Sequence, residues 1–202
     1  ITPGPEAFSN LGYHLWFVAF LFVFALVALP VFMWLKGDSG KRIIARLARL
    51  TKRRGRLLVF VIPFILIRLI LQPFFPAYTG WSDFTIMLVF FIFGFILMAE
   101  EQFKPAIRRD WPLHLILGSA CTLFFFSIAA GVPVARWMYS PGTPGFFVSW
   151  ILHSINAWCW TMFMFYIGMR YLDFTNQWLQ YSREASYPFF FFHQPGIIFI
   201  AF

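Results

Sequence analysis

Long apolar blocks alternate with short polar stretches along the whole chain, and the blocks show neither strand-like alternation nor interior charge clusters. Residues 14–35, 57–74, 84–99, 113–134, 147–169 and 187–202 form these blocks, several of them near the roughly 20 residues that cross a hydrocarbon layer as a helix. The pattern predicts an all-α, polytopic transmembrane helix bundle with five full helices and a truncated sixth, built as a single domain over 1–202. Pro and Gly residues at 73, 76, 80, 141, 142, 144 and 145 suit turns between spans. Ile1 is no initiator methionine and Phe202 lies within an apolar run, so both ends read as cut.

Composition supports the membrane assignment. Of the 202 residues, 60% are hydrophobic and 12% charged, with 30 Phe and 9 Trp, more apolar surface than a soluble core of this size can bury. The net charge of +8 comes from basic residues in the connections, which makes it a topology signal and excludes nucleic acid as the expected partner. Nine Lys/Arg lie between Lys36 and Arg56, three between Lys104 and Arg109, and two, Arg170 and Arg183, before the last block. The intervening loops carry only Arg136, so the basic loops are expected to face the cytoplasm. Within 41–56, Ile43, Ile44, Leu47 and Leu50 oppose Arg42, Arg46 and Arg49, with Lys52, Arg53 and Arg54 following. This segment reads as a basic amphipathic helix on the inner membrane surface, a lipid-headgroup anchor more readily than a polyphosphate site.

Few residues bring chemistry into the apolar blocks. Arg68 is the charged residue well inside a predicted span, where a cation costs on the order of 2.5–3.5 kcal/mol on insertion scales and requires a partner, a polar cavity or a reach to the headgroups. Asp83, just beyond the Tyr78-Thr79-Gly80-Trp81 turn, is a candidate partner, and Pro63 is expected to kink the same helix. Histidines fall in two layers, His14 and His153 toward the outer face and His114 and His193 toward the inner. A metal site from all of them is not expected, and Cys121 and Cys159 show no zinc-type spacing. His193, Gln194 and Pro195 place two polar side chains and a freed backbone carbonyl in one turn, with Tyr187 and Arg183 near the same end.

Two strings carry a resemblance. His14-Leu15-Trp16-Phe17 opens one block, and Tyr187-Pro188-Phe189-Phe190-Phe191-Phe192-His193-Gln194-Pro195 opens the last. Their order and spacing, with Gly94 and the stretch from Tyr171 to Ala185 between them, resemble the membrane acyltransferase-3 family, especially its glucan-biosynthesis branch. The resemblance implies transfer of an acetyl- or succinyl-type group from a cytoplasmic donor, acyl-CoA as co-substrate, to a hydroxyl of a glycan or envelope molecule. It places the protein in the bacterial cytoplasmic membrane, without a bound cofactor. His193 and Arg68 become candidate catalytic groups, and Gln194, Tyr187, His14 and Asp83 candidate substrate-binding ones. The family pairs a basic residue with a later histidine in its first membrane helix, and no segment here matches that pair; His14 belongs to a different motif. The chain is therefore expected to be the C-terminal part of a longer enzyme or a member without catalytic competence. A transporter or lipid flippase is the competing expectation, and a structural membrane subunit a third.

Overall fold

A computed structural model describes residues 5, 16–129, 138, 142–173 and 181–182. Among the described residues six α-helices follow one another: α1 Trp16–Lys36, α2 Asp38–Leu50, α3 Ile62–Leu71, α4 Trp81–Ala99, α5 Phe103–Ala129 and α6 Pro144–Tyr171, with a 3-10 helix at Arg56–Val61 running into α3. No strand occurs among the described residues. Three helices, α1, α4 and α5, are long and apolar enough to cross a membrane.

The expected count of five full spans and a truncated sixth is corrected in two ways, while the basic segment after α1 is, as expected, a helix of its own, α2. The block expected as one helix over 57–74 is instead a 3-10 turn followed by a ten-residue α3. Pro63 explains the switch, because it has no N–H for the Val59 carbonyl, which accepts from the Ile62 N–H in 3-10 fashion instead. At about 2.0 and 1.5 Å rise per residue, the two pieces together still cover roughly 27 Å. Finally, α6 is long but carries Ser149, His153, Ser154, Asn156 and Thr161, which dilute its apolar character. The block at 187–202 lies outside the described residues.

Aromatic contacts give the directions of the helices. Phe20 and Phe24 of α1 meet Phe84 of α4, and further along Phe32 stacks on Phe95 at 4.5 Å, so α1 and α4 are parallel. Phe60 meets Phe93 while Arg68 meets Asp83, so the 3-10/α3 unit is antiparallel to α4. Trp111 stacks on Tyr166 at 4.9 Å and Phe125 meets His153, so α5 and α6 form an antiparallel pair. Between them the indole N–H of Trp160 donates to Thr122, whose hydroxyl donates to Asn156. Gly118 faces Cys159 and Trp160, and a Cβ there would stand 3.4 Å from both. Trp158 is fully buried at the crossing of α3, α4 and α6, surrounded by Phe60, Phe64, Phe90 and Phe93. One end of the bundle thus carries Arg68, Asp83 and Trp150; the other carries Lys36, α2 and the start of α5.

The corner between α1 and α2 depends on a missing side chain. Ile44 and Ala48 of α2 are buried against the bundle and Leu47 partly so, whereas Ile43 and Leu50 stay on the open flank. Gly40 completes the docking stripe: a Cβ on it would stand 2.3 Å from the Leu35 Cα and 2.5 Å from the Trp34 carbonyl oxygen. Backbone cannot yield as a flexible side chain does, so Gly40→Ala is expected to push α2 off α1, at a cost in the roughly 1–3 kcal/mol range of overpacked sites. A lowered unfolding temperature in detergent checks this; an unchanged one would mean that the corner opens freely.

Candidate functional site

Arg68 sits in the last turn of α3, not deep within a longer helix, because α3 ends at Leu71 with Gln72 as its C-cap. Its guanidinium turns inward. Nη1 pairs with Asp83 Oδ1 at 2.6 Å and donates to Gln72 Oε1 at 2.6 Å and to the Ser82 hydroxyl at 3.2 Å. Both charged side chains are only 15% exposed. The Trp150 ring covers the cation, with Cζ 4.6 Å from the ring centroid. Contacts of this kind, charge-assisted and partly desolvated, hold a guanidinium in one orientation. Among the described residues Nε and Nη2 have no acceptor, so part of the donor fork is uncommitted.

Asp83 has a second task. Its Oδ2 accepts from the Thr79 N–H at 2.9 Å, and Thr79 adopts φ +60°, a conformation that non-glycine residues seldom take. The first turn of α4 thereby fixes both the Arg68 cation and the turn leading into the helix. Trp150 also meets His153, with centroids 5.2 Å apart, and Phe125 packs edge-on against the same imidazole at 4.1 Å. His153 Nδ1 is buried without a hydrogen-bond partner among the described residues. A fixed cation and an imidazole therefore share one aromatic partner at one end of α3, α4 and α6.

The structure brings together Arg68, Asp83 and His153 of the residues singled out from sequence, and adds Gln72, Ser82 and Trp150 to them. His14, Tyr187, His193 and Gln194 lie outside the described residues. Cys121 and Cys159 are buried thiols on α5 and α6. Among the described residues no group of three His, Cys, Asp or Glu side chains converges as a metal site would require.

A second polar centre, at the opposite end, escaped the sequence reading. Asp110 is fully buried, accepts from the Gly55 N–H at 3.0 Å and receives the Arg109 fork at 2.8 Å from Nε and 2.9 Å from Nη2. Arg109 reaches further, donating to the carbonyls of Thr51, Lys52 and Arg53 at 2.6–2.9 Å. These carbonyls follow α2, where the helix has no donors left for them. Gly55, at φ +75°, turns the chain into the 3-10 helix and presents its N–H to Asp110. His114, one turn after Asp110, is fully buried with neither ring nitrogen partnered among the described residues. The available signal was an adjacent Arg-Asp pair just before an apolar block, in a chain with only eight acidic residues.

With both centres described, the wider comparison adds no kinship: no protein-family model, no curated protein and no solved structure matches the chain.

Proposed function

We propose that the protein is the membrane-embedded part of an acyltransferase that moves an acetyl- or succinyl-type group from a cytoplasmic acyl-CoA to a hydroxyl of a glycan or envelope molecule. The helices that meet at Arg68 would then cross the bilayer repeatedly, with the basic end of the bundle on the cytoplasmic side. The two motifs at His14-Leu15-Trp16-Phe17 and at Tyr187 to Pro195 support the chemical class. The observation that carries the site is the Arg68 cation, locked by Asp83 and covered by Trp150, with Nε and Nη2 lacking an acceptor among the described residues and His153 beside the same ring.

The chemistry asks for two things. A hydroxyl attacks a thioester only as its proton is removed, and the attack builds negative charge on the thioester oxygen. The collapsing adduct then expels the thiolate of the donor, leaving the acyl group as an ester on the acceptor. Arg68 offers fixed N–H donors for the developing oxyanion and His153 a ring nitrogen for the proton, at the end of the bundle opposite the basic one, so in this reading the thioester of the cytoplasmic donor reaches across the bundle to them. His193 and Gln194 position the donor in this reading, with Tyr187 and His14 as further substrate contacts.

Acyl-labelled acetyl-CoA or succinyl-CoA, supplied to the full chain in vesicles with a glucan acceptor, tests the proposal. Acceptor labelling is expected, with Arg68→Gln lowering it by about 10²–10³, the range for loss of one oxyanion donor. His193→Ala should also lower transfer while membrane levels stay intact. The second reading, a transporter or flippase, draws on the same paired cation, which can line a path for a polar group. Movement of substrate across the vesicle without covalent change favours transport; transfer that is indifferent to Arg68 overturns the site.

A further inference from the structure

Among the described residues, surface cavities near the basic residues differ in what their cations have left to offer. The one lined by Ala48, Thr51, Lys52, Gln102, Pro105 and Arg109 contains a guanidinium already spent on Asp110 and three carbonyls. The one between Lys36, Lys41 and Phe95 has Glu100 in its wall, which offsets one of its two lysines. The third, of about 340 Å³, is lined by Arg108, Trp111, Tyr166, Met169 and Arg170, with no carboxylate among the described residues of its wall. Among the described residues neither Arg108 nor Arg170 forms an ion pair.

We infer that this third cavity binds a phosphate group, held between Arg108 of α5 and Arg170 of α6. The walls are preorganised. Trp111 and Tyr166 stack at 4.9 Å with only 7° between their planes, which locks the two helices in register and fixes the separation of the two arginine-bearing turns. Phe163 packs beside both rings, its centroid 6.4 Å from that of Trp111 and 6.3 Å from that of Tyr166. Arg170 is braced over the Tyr171 ring, its Cζ 5.7 Å from the centroid. Two guanidinium forks from separate helices match the charge and the several oxygens of a phosphate better than a single carboxylate, which one fork satisfies. The site lies at the opposite end of the bundle from Arg68 and stands whether or not the acyl-transfer reading holds.

Phosphate of this kind reaches the cavity either on a soluble ligand or on a lipid headgroup, and one experiment separates the two. ADP binding is measured by equilibrium dialysis on the full chain in phosphatidylcholine nanodiscs. Retention of phosphatidylglycerol is measured by native mass spectrometry of the same chain in detergent. Arg108→Gln and Arg170→Gln are each expected to weaken one of these at least about tenfold, as loss of a charge-assisted pair implies. Both side chains are exposed, so neither change empties a packed core. Lys104→Gln, which removes a cation engaged by Glu101 at 2.7 Å, is expected to leave both readouts unchanged. Loss confined to ADP identifies a soluble phosphate ligand; loss confined to phosphatidylglycerol identifies a headgroup. Binding that is absent in the unsubstituted chain, or equal in it and in both Gln variants, overturns the inference.

Discussion

Asp110→Ala is expected to destabilise the protein by about 3 kcal/mol and to release the turn between α2 and the 3-10 helix. The carboxylate is fully buried and its partner Arg109 one-third exposed, so the value belongs at the lower end of the roughly 3–5 kcal/mol for breaking a buried pair. Three consequences follow from one deletion. The Gly55 N–H loses its acceptor, the Arg109 fork loses its anchor, and the carbonyls of Thr51, Lys52 and Arg53 then depend on a guanidinium that nothing orients. Lys52, Arg53 and Arg54 are trypsin sites within that turn. Limited trypsin digestion in detergent should therefore cut the variant faster at these bonds, together with a lower unfolding temperature. Arg109→Ala should behave similarly, and the double variant should be little worse than either, because the members act as one network. Unchanged cleavage would show that the turn is held by α2 packing alone.

How much of this was legible beforehand follows from which signals are local. Helix existence was readable because apolar blocks and basic connections are properties of short windows, and α1, α4, α5 and α6 overlap the expected blocks. The separate α2 was visible in the spacing of Ile44, Leu47 and the arginines, although its buried stripe includes Gly40 and Ala48, small residues that hydrophobicity patterns pass over. The shortness of α3 was not readable, since Pro63 was expected to kink a continuous helix and instead marks a change of hydrogen-bond pattern. That change matters for the site: the same Arg68 moves from the interior of a span to the last turn of a helix, next to the Gln72 cap. Asp83 could be named as a partner because the α3–α4 turn is short. Trp150 and His153, some seventy positions further along, could not, because only the packing of α6 on α3 brings them near. The Arg109–Asp110 clasp was hidden for the converse reason: its residues looked like ordinary loop charges, and burial is what makes them structural.

The Arg68–Asp83 pair gives the second expected result, and it separates stability from function. Asp83→Ala should cost on the order of 3 kcal/mol, because it leaves a mostly buried cation with neutral acceptors and strips the Thr79 N–H of its partner at an unfavourable φ. Arg68→Ala should cost less, since Asp83 keeps the Thr79 N–H, although the contact with Trp150 is lost. Replacing both with apolar residues, Arg68→Met with Asp83→Leu, should recover part of the loss, because a desolvated ion pair is often no more stabilising than well-packed hydrocarbon. Unfolding temperatures in one detergent provide the cycle, and a double variant whose loss equals the sum of the singles would deny any coupling between the two side chains. The recovered double variant is also the useful reagent. An assembled bundle without this charge tests whether acyl transfer or substrate movement needs the Arg68 cation itself. Activity that survives would make the pair a device for docking α3 on α4; activity that vanishes while the fold persists would leave the cation with a chemical role that packing does not supply.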